Sequence, residues 1–451
     1  MSQASHPRVA TGVAAPPVAA PTTTAPPIAP PDTATAPPAP ATSSAATPAT
    51  GIRTMDTPQR LRLLSLGVVV VGILVALVGV LTFSYLAVSL SRAKADTAQL
   101  IRVQKIQSNL LSADAIATNA FLVGGLEPPA QRAVYDQAIS STSSLIVDAS
   151  QAQPADAAAL SALNQQVVSY AATIEQARAN NRQGLPVGAQ YLRNASAELR
   201  STALPILDSL VSSNAARAAD DMDARAGYIF PIIALLALAG VIIGQVWLAR
   251  RFKRKINVGM LASAAVLLVI AIASLIAAIQ LSSTLSSITN GSFAAVNTAA
   301  DTRIDANNAK SNESLTLIAR GSGQAFESAW KSSADSVAAN LQHLSDRPEL
   351  TNQWQAYTDV HGEIRALDDG GRWDRAVTQA TGSDPASSNT VFGTFDNNLA
   401  GYLDEVSQET STSLAGIQPV AVVFAILALL SGLAVALLGR WGIAARLKEY
   451  R

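Results

Sequence analysis

The side chains that most often carry out chemistry in proteins are scarce in this sequence. It contains no cysteine, and its only histidines are His6, His343 and His361. Disulfide bonds, thiol chemistry and histidine-rich metal sites are therefore excluded. No glycine-rich phosphate loop follows a predicted strand, and no Ser/His/Asp set is suggested. We expect a protein that is not an enzyme and that needs no metal or cofactor.

His361 lies on the apolar face of a predicted helix, between Tyr357 and Ile364. A ligand or general base at this position would need a second histidine or a carboxylate pair at catalytic spacing, and neither recurs nearby. The pattern therefore favours a buried histidine that is held by hydrogen bonds.

A glycine pair at the predicted end of a helix is surrounded by charged and aromatic residues. Aromatic and arginine side chains at an exposed helix end favour contacts with a partner protein. The alternative is an ordinary helix stop that the glycine pair caps. The candidate partner-binding residues are Asp368, Asp369, Arg372, Trp373 and Asp374.

A short basic connector separates two apolar stretches, 228–249 and 258–281. Each stretch is long enough to cross ~30 Å of hydrocarbon as a helix. The positive-inside rule then places the connector in the cytoplasm. Its basic residues are also candidates for contact with anionic lipid headgroups or with a cytoplasmic partner. They are Arg250, Arg251, Lys253, Arg254 and Lys255.

Two more apolar stretches complete a predicted set of four membrane spans. Residues 63–91 carry no charge, and a stretch this long is an anchor rather than a signal peptide of roughly 7–15 apolar residues. Residues 417–439 form the last span, so both chain ends are expected in the cytoplasm of a multi-pass plasma-membrane protein. The predicted spans are 60–92, 227–249, 258–281 and 417–439, and the predicted cytoplasmic segments are a disordered Pro/Ala/Thr-rich tail 1–59, the turn 250–257 and the tail 440–451.

The net charge of zero conceals a separation of charge along the chain. Residues 93–226 contain 10 basic and 12 acidic side chains, and residues 282–416 contain 8 basic and 17 acidic ones. The segments predicted to be cytoplasmic are basic instead. An oriented membrane protein accounts for this distribution, so we expect no binding to nucleic acid.

The two long acidic segments, 93–226 and 282–416, show helical periodicity throughout. Apolar or small residues recur at alternating three- and four-residue steps, which is a heptad pattern. Short turns rich in glycine and proline separate the predicted helices. The fold class is therefore an all-α membrane protein with four transmembrane helices and two extracytoplasmic four-helix bundles, built as a duplicated span–bundle–span unit. The clearest faces are Val103, Ile106, Leu110, Ala113, Ala117 and Ala120, then Leu160, Leu163, Val167, Tyr170, Ile174 and Ala177.

The apolar stretches 63–91, 228–249, 258–281 and 417–439 contain no acidic or basic residue, which argues against transport because ion paths need such groups. They do contain pairs of small residues four apart, which allow membrane helices to approach closely. The pairs are Gly72/Ala76, Gly240/Gly244 and Gly432/Ala436. Since glycine and alanine are frequent in these spans, chance pairs are equally expected.

Four short runs resemble the actinobacterial GlnX-type membrane protein family over residues 60–451. The runs are NESLTLIARG at 312–321, DDGGRWD at 368–374, NAFLVGG at 119–125 and EYR at 449–451. The third run is also widespread in chemoreceptor-type bundles. The resemblance implies a relay in which a solute-binding lipoprotein of the glutamine-binding type senses aspartate or glutamate outside. A cytoplasmic Ser/Thr protein kinase of the protein kinase G type then responds inside.

The first hypothesis is therefore a non-enzymatic transmembrane signal relay for amino-acid availability. Its expected partners are the lipoprotein, the kinase and membrane lipids, and a homodimer is left open. The alternatives are a chemoreceptor-like direct ligand sensor, an accessory subunit of an amino-acid transport system and a structural envelope protein. The motifs transfer no ligand-binding residue.

Overall fold

The computed structural model describes residues 57–124, 127–252 and 257–447. It is 92% helical, and these ranges contain no strand. Four helical regions are long and apolar enough to cross a membrane. The all-α membrane class is therefore confirmed. The predicted disordered tail falls almost entirely outside the described residues, as do Lys253, Arg254 and Lys255 of the basic connector.

The first half of the chain forms six helices. The longest is α1, which joins the first apolar stretch to the first helix of the segment 93–226 without a break. The bounds are α1 Thr57–Val123, α2 Pro129–Ala152, α3 Ala157–Arg182, α4 Val187–Glu198, α5 Leu204–Asp221 and α6 Ile229–Phe252.

The second half forms six more helices, and the last one, α12, again joins a module helix to an apolar stretch. A short helix, α11, fills the region between the predicted glycine-pair stop and the last long helix. The bounds are α7 Val258–Asn290, α8 Ser292–Ile318, α9 Gln324–Gln342, α10 Pro348–Asp369, α11 Trp373–Thr381 and α12 Ser388–Leu447.

The two inner junctions between span and module are interrupted. Sequence periodicity predicts that the helix ending the first module continues into the second span, and the structure corrects this. A 3₁₀ segment, Ala224–Tyr228, separates α5 from α6. Gly291 separates α7 from α8. Only α1 and α12 therefore form continuous rods between the apolar spans and the modules.

Pro205 predicts a kink in the last helix of the segment 93–226, and the structure has a π-helical turn over Leu199–Ala203, between α4 and α5. Proline has no backbone N–H, and its ring clashes with the carbonyl four residues earlier. The wider π-helical turn before Pro205 accommodates the proline. Such π-helical turns are a known cause of kinks in α-helices.

Residues 93–226, called module 1 below, pack α1, α2, α3 and the α4–α5 pair around one apolar core. All twelve residues of the two clearest predicted faces are buried. For α2 the spacing predicts a face with Val134, Ile139 and Leu145. Ile139 and Leu145 pack against the core, but Val134 is 55% exposed and Tyr135 is buried instead. The α2 face follows Tyr135, Thr142, Ile146 and Ala149.

Residues 282–416, called module 2 below, have a separate apolar core that α8, α9, α10 and α12 supply. The core is rich in aromatic rings, among them Trp354, Tyr357 and Phe395. The centroid of the Trp354 ring lies 5.0 Å from that of Tyr357 and 5.1 Å from that of Phe395. Such close tilted packing fixes how α10 sits against α12.

Helices α1 and α12 touch along their apolar spans through two of the small-residue pairs noted in the sequence. A Cβ atom built on Gly72 would lie 2.6 Å from the Gly432 carbonyl oxygen, and one built on Gly432 would lie 2.5 Å from the Ala76 nitrogen. The pairs Gly72/Ala76 and Gly432/Ala436 therefore face each other. Gly240 of the third pair has no atom near its missing side chain.

Candidate functional site

The two modules meet along α8, which packs against α1, α9 and α12. Residues 306–317, near its C-terminal end, are buried except for Asn308, although eight of these twelve residues are polar or charged. A helix buried on nearly every side is unusual for such a composition. Its small residues explain how it fits, because Ala306, Ala309, Ser311 and Ser314 let neighbouring helices approach closely.

Asp114 of α1 is the buried acid on the module 1 side of α8, and none of its surface is exposed. Its Oδ1 accepts hydrogen bonds from the Ser196 hydroxyl at 2.6 Å and the Tyr170 hydroxyl at 3.2 Å. Its Oδ2 accepts one from the Ser311 hydroxyl at 2.7 Å and lies 3.0 Å from the Arg200 guanidinium. Both carboxylate oxygens are thus satisfied, as a buried charge requires.

Glu313 is the buried acid on the other side of α8, within module 2, and it is also fully buried. Lys310 donates to its Oε1 at 2.7 Å, and the Ser388 hydroxyl donates to the same oxygen at 2.7 Å. His361 Nδ1 lies 3.1 Å from its Oε2. Lys310 also donates to the Ser388 hydroxyl at 2.6 Å, so these groups form a closed buried network.

His361 bridges this network to a second carboxylate, because its Nε2 lies 3.3 Å from Glu327 Oε1. A histidine can donate from both ring nitrogens only when it is protonated. Trp330 stacks on the imidazole with ring centroids 3.6 Å apart and 9° between the ring planes. The prediction that His361 is buried and hydrogen-bonded is confirmed by these contacts. The sequence did not reveal that two carboxylates converge on it.

The network changes the proton affinities of its members. Burial alone would raise the pKa of Glu313, but Lys310 and His361 outweigh it and lower this pKa to about 2. Burial lowers the pKa of Lys310, and its single carboxylate partner offsets this only in part. Burial alone would lower the pKa of His361, but its hydrogen bonds to the carboxylates of Glu313 and Glu327 outweigh burial and raise this pKa.

A cavity of about 370 Å³ lies between the modules, beside Lys310. Lysine carries three N–H donors. Glu313 and Ser388 accept two of those of Lys310, which leaves one without an acceptor among the described contacts. Gln131 also lines the cavity, and its Oε1 is buried without a hydrogen-bond partner. The remaining walls are mixed, with Ile116, Val134 and Phe392 among the apolar residues and Asn119, Asn307, Asn389 and Asp396 among the polar ones.

Further contacts tie the modules together around this cavity. The Asn389 amide donates to Asn119 Oδ1 at 2.8 Å, and the Gln104 amide donates to Asn297 Oδ1 at 2.8 Å. Lys105 and Asp404 form an exposed ion pair at 2.6 Å. Two predicted separate bundles are therefore joined through α1, α8 and α12 by buried polar bonds.

Residues 89–223 match the family model of the actinobacterial sensor domain. This range covers module 1 with the end of the first span. The match supports an actinobacterial sensor protein with a role in sensing or signalling. No curated protein and no solved structure matches the chain.

The predicted partner-binding residues lie at the α10–α11 turn, at the end of module 2 far from the apolar spans. Trp373 is half-buried, its indole N–H donates to the Leu317 carbonyl at 2.9 Å, and the Arg320 guanidinium lies 3.9 Å from its ring centroid. The tryptophan thus anchors the turn to the end of α8.

Of the charged residues in the same turn, two form ion pairs with Arg365 and the other two are exposed. Asp368 and Asp369 both pair with Arg365. Arg372 caps α11, Asp374 lies in its first turn, and both are exposed. Gly371 has a φ of 73°, which a residue without a Cβ adopts freely, so a helix stop is also present here. The structure therefore contains the helix stop, and partner binding by the exposed residues of this turn stays a prediction.

Of the five basic residues in the connector, the structure describes Arg250 and Arg251. Arg250 and Arg251 are exposed in the last turn of α6. Their position at a helix C-terminus is favourable for cations. In the described ranges, no group of three or more histidine, aspartate or glutamate side chains is arranged to hold a metal ion.

Asp114, Lys310 and Glu313 were not singled out from the sequence. Helical periodicity marks which face of one helix is apolar, and each of these residues lies off that pattern or inside a run of polar residues. The available signal was the density of small residues from Ala306 to Ser314, which permits burial on several sides at once.

Proposed function

We propose that this protein is a non-enzymatic transmembrane signal relay for amino-acid availability. A solute-binding lipoprotein outside would report aspartate or glutamate, and a cytoplasmic Ser/Thr kinase of the protein kinase G type would respond. The sensor-domain match supports the sensing role. The identities of the two partners and the orientation of the chain rest on the GlnX-type resemblance and on the positive-inside rule.

One observation carries the relay mechanism. Helices α1 and α12 run unbroken from the buried polar interface between the modules through the apolar spans, and they pack on each other at Gly72 and Gly432. A shift between the modules therefore has a direct mechanical route across the bilayer. Packed helices move as rigid elements between discrete arrangements, which suits a two-state signal.

The relay is tested with the full chain in nanodiscs and the purified lipoprotein. We expect calorimetry to detect binding of the aspartate-loaded lipoprotein and none of free L-aspartate or L-glutamate. In cells, aspartate should change phosphorylation of the kinase substrates only when the full chain is present. Kinase phosphorylation that is unchanged by deletion, together with loss of amino-acid uptake, would favour a transport accessory instead.

A direct ligand sensor is the second candidate, and the cavity between the modules favours it. The Lys310 ammonium and the unpartnered Oε1 of Gln131 are complementary to a small molecule with a carboxylate and an N–H group. Free amino acids have this chemistry. Occupancy of the cavity would act directly on the contacts that join the modules.

Glycine substitutions separate the two candidates. Gly393 lines the cavity and has no atom within 4 Å of an added Cβ, so Gly393→Leu fills the space without a clash at the first side-chain atom. Gly401→Leu on the same helix is the matched control, because Gly401 is also open but lies away from the cavity. A direct sensor requires L-glutamate or L-aspartate to bind the wild-type chain and the control variant. Its affinity for Gly393→Leu should be at least tenfold lower. The relay requires no binding in any of the three.

A further inference from the structure

A second cavity, of about 500 Å³, lies among the apolar spans where they meet the modules. Three helices and the 3₁₀ segment form its walls. Helix α1 contributes Phe83 and Leu86, α7 contributes Ile276 and Ala277, and α12 contributes Val420 and Phe424. We propose that this cavity binds one acyl chain of a membrane phospholipid.

The cavity lies at the opposite end of α7 and α12 from their close glycine contact. At that contact, a Cβ built on Gly259 would lie 2.5 Å from the Gly442 Cα, and the Asn257 amide donates to the Gly442 carbonyl at 3.0 Å. The Ser263 hydroxyl donates to the Val435 carbonyl at 3.2 Å. Towards the modules the lining residues of α7 include Ala273, Ala277 and Ala278, whose side chains are too short to fill the gap.

The depth and length of the cavity match one leaflet of a bilayer. Its wall on α7 runs from Ala273 to Thr284, which is about 16 Å at the rise of an α-helix. Half of a ~30 Å hydrocarbon core is about 15 Å. Most of this wall belongs to the apolar stretch 258–281. An alkyl chain lying parallel to α7 would therefore follow the cavity over its length.

The chemistry of the lining also favours an alkyl chain. The walls are mostly apolar, and no charged side chain contributes to them. A cavity of this kind does not hold ordered water, which needs polar partners. The polar lining side chains Gln280 and Thr284 lie at the module end, at the level where an apolar span gives way to the lipid headgroups.

The cavity opens to the surroundings of the spans. Ile276 and Val420, which line it on α7 and α12, are 51% and 50% exposed. In a bilayer those side chains face lipid, so a chain can enter sideways between the two helices. Gly227 of the 3₁₀ segment also lines the cavity, which places the bound chain beside the interrupted junction between α5 and α6.

The test uses the full chain in nanodiscs with a phosphatidylcholine that carries a photoactivatable diazirine in one acyl chain. After illumination, mass spectrometry maps the modified residues. We expect adducts concentrated several-fold on the lining residues Ile276, Val420 and Phe424, compared with Leu236 and Ile243 on the exposed face of α6.

Two variants narrow the cavity from opposite walls. Gly416→Leu adds a side chain where no atom lies within 4 Å of the new Cβ, and Ala277→Leu lengthens one on α7. Each should lower the adducts on the lining several-fold. Gly240→Leu, an equally open glycine on α6 away from the cavity, should leave them unchanged.

Three outcomes would each overturn the proposal. They are adducts spread evenly over outward-facing residues, adducts that both narrowing variants leave intact, and crosslinks to a second copy of the chain. Thermal melting of helical circular dichroism shows that each variant is folded.

Discussion

The hydroxyl of Ser311 in α8 donates a 2.7 Å hydrogen bond to Oδ2 of Asp114 in α1, and neither residue has any exposed surface. This bond joins the two modules at the level of the cavity between them. Its neighbours in α8, Lys310 and Glu313, belong to the other buried network. Helix α8 therefore contributes side chains to both buried networks. Because Lys310 and Ser311 are adjacent in α8, a displacement of one network also moves the other.

Removal of the Asp114 carboxylate should strongly destabilise the protein. Asp114→Ala leaves Arg200 and three hydroxyl donors without their buried acceptor, and breaking a buried pair from one side costs about 3–5 kcal/mol. Ser311→Ala removes one hydrogen bond and should cost about 1 kcal/mol. Denaturant unfolding in micelles measures both effects. Ser322→Ala, at an exposed turn, serves as the control. Equal stability of Asp114→Ala and the wild type would contradict the network.

The Glu313–His361 pair predicts a defined dependence of stability on pH. The folded-state pKa of Glu313 is about 2, below its ordinary 4.5, so its contribution is complete above about pH 4.5 and is lost towards pH 2. The pKa of His361 is raised above 6.5, so its contribution is complete below pH 6.5 and is lost as the pH rises through the folded-state value. Together these two groups favour stability between about pH 4.5 and 6.5.

Thermal melting across pH 4 to 9 tests this dependence. His361→Gln should remove the part of the alkaline decline that comes from this group, because the side chain no longer changes charge. His343→Gln is the matched control, since His343 is exposed at the end of α9. If the melting temperature declines identically at alkaline pH in the wild type and in His361→Gln, then a protonated His361 does not stabilise the fold.

The glycine contact between α1 and α12 should be sensitive to a single methyl group. Gly72→Ala places a Cβ 2.6 Å from the Gly432 carbonyl oxygen, so the helices must separate, at a cost of about 1–3 kcal/mol. Gly67→Ala lies on the same helix with no atom within 4 Å and should gain up to about 1 kcal/mol from helix propensity. Melting temperatures of the two variants should move in opposite directions. A shared direction would argue against close packing at Gly72.

The predicted orientation can be tested directly because the chain has no cysteine of its own. We expect a membrane-impermeant maleimide to label Ser322→Cys in module 2 and Gln183→Cys in module 1 on intact cells. Lys253→Cys in the basic connector should react only after the membrane is permeabilised. Labelling of the connector from outside, or protection of either module, would reverse the assigned topology.

The amino-acid sequence alone determined the class of this protein and most of its helices. Charge-free apolar stretches of sufficient length specify membrane spans whatever surrounds them, and heptad spacing specifies a buried face on each module helix. The faces with Val103 and Leu160 are buried as predicted, because the apolar side chains of one helix decide its own orientation. The α2 face was predicted only in part, since Tyr135 and Thr142 are buried there and Val134 is exposed, in contacts that depend on neighbouring helices.

Only the tertiary structure decided how the modules meet. Asp114 lies 197 positions before Ser311 in the chain, and Glu313 lies 48 positions before His361, so no local spacing relates these partners. A polar residue in a helical sequence is ordinarily assigned to solvent, and its burial becomes favourable only when several distant donors converge on it. The cavities have the same origin, because the distance between two packed helices depends on glycines such as Gly259 and Gly442 at their far ends. The sequence contains those residues, but the contacts between them exist only in the folded chain.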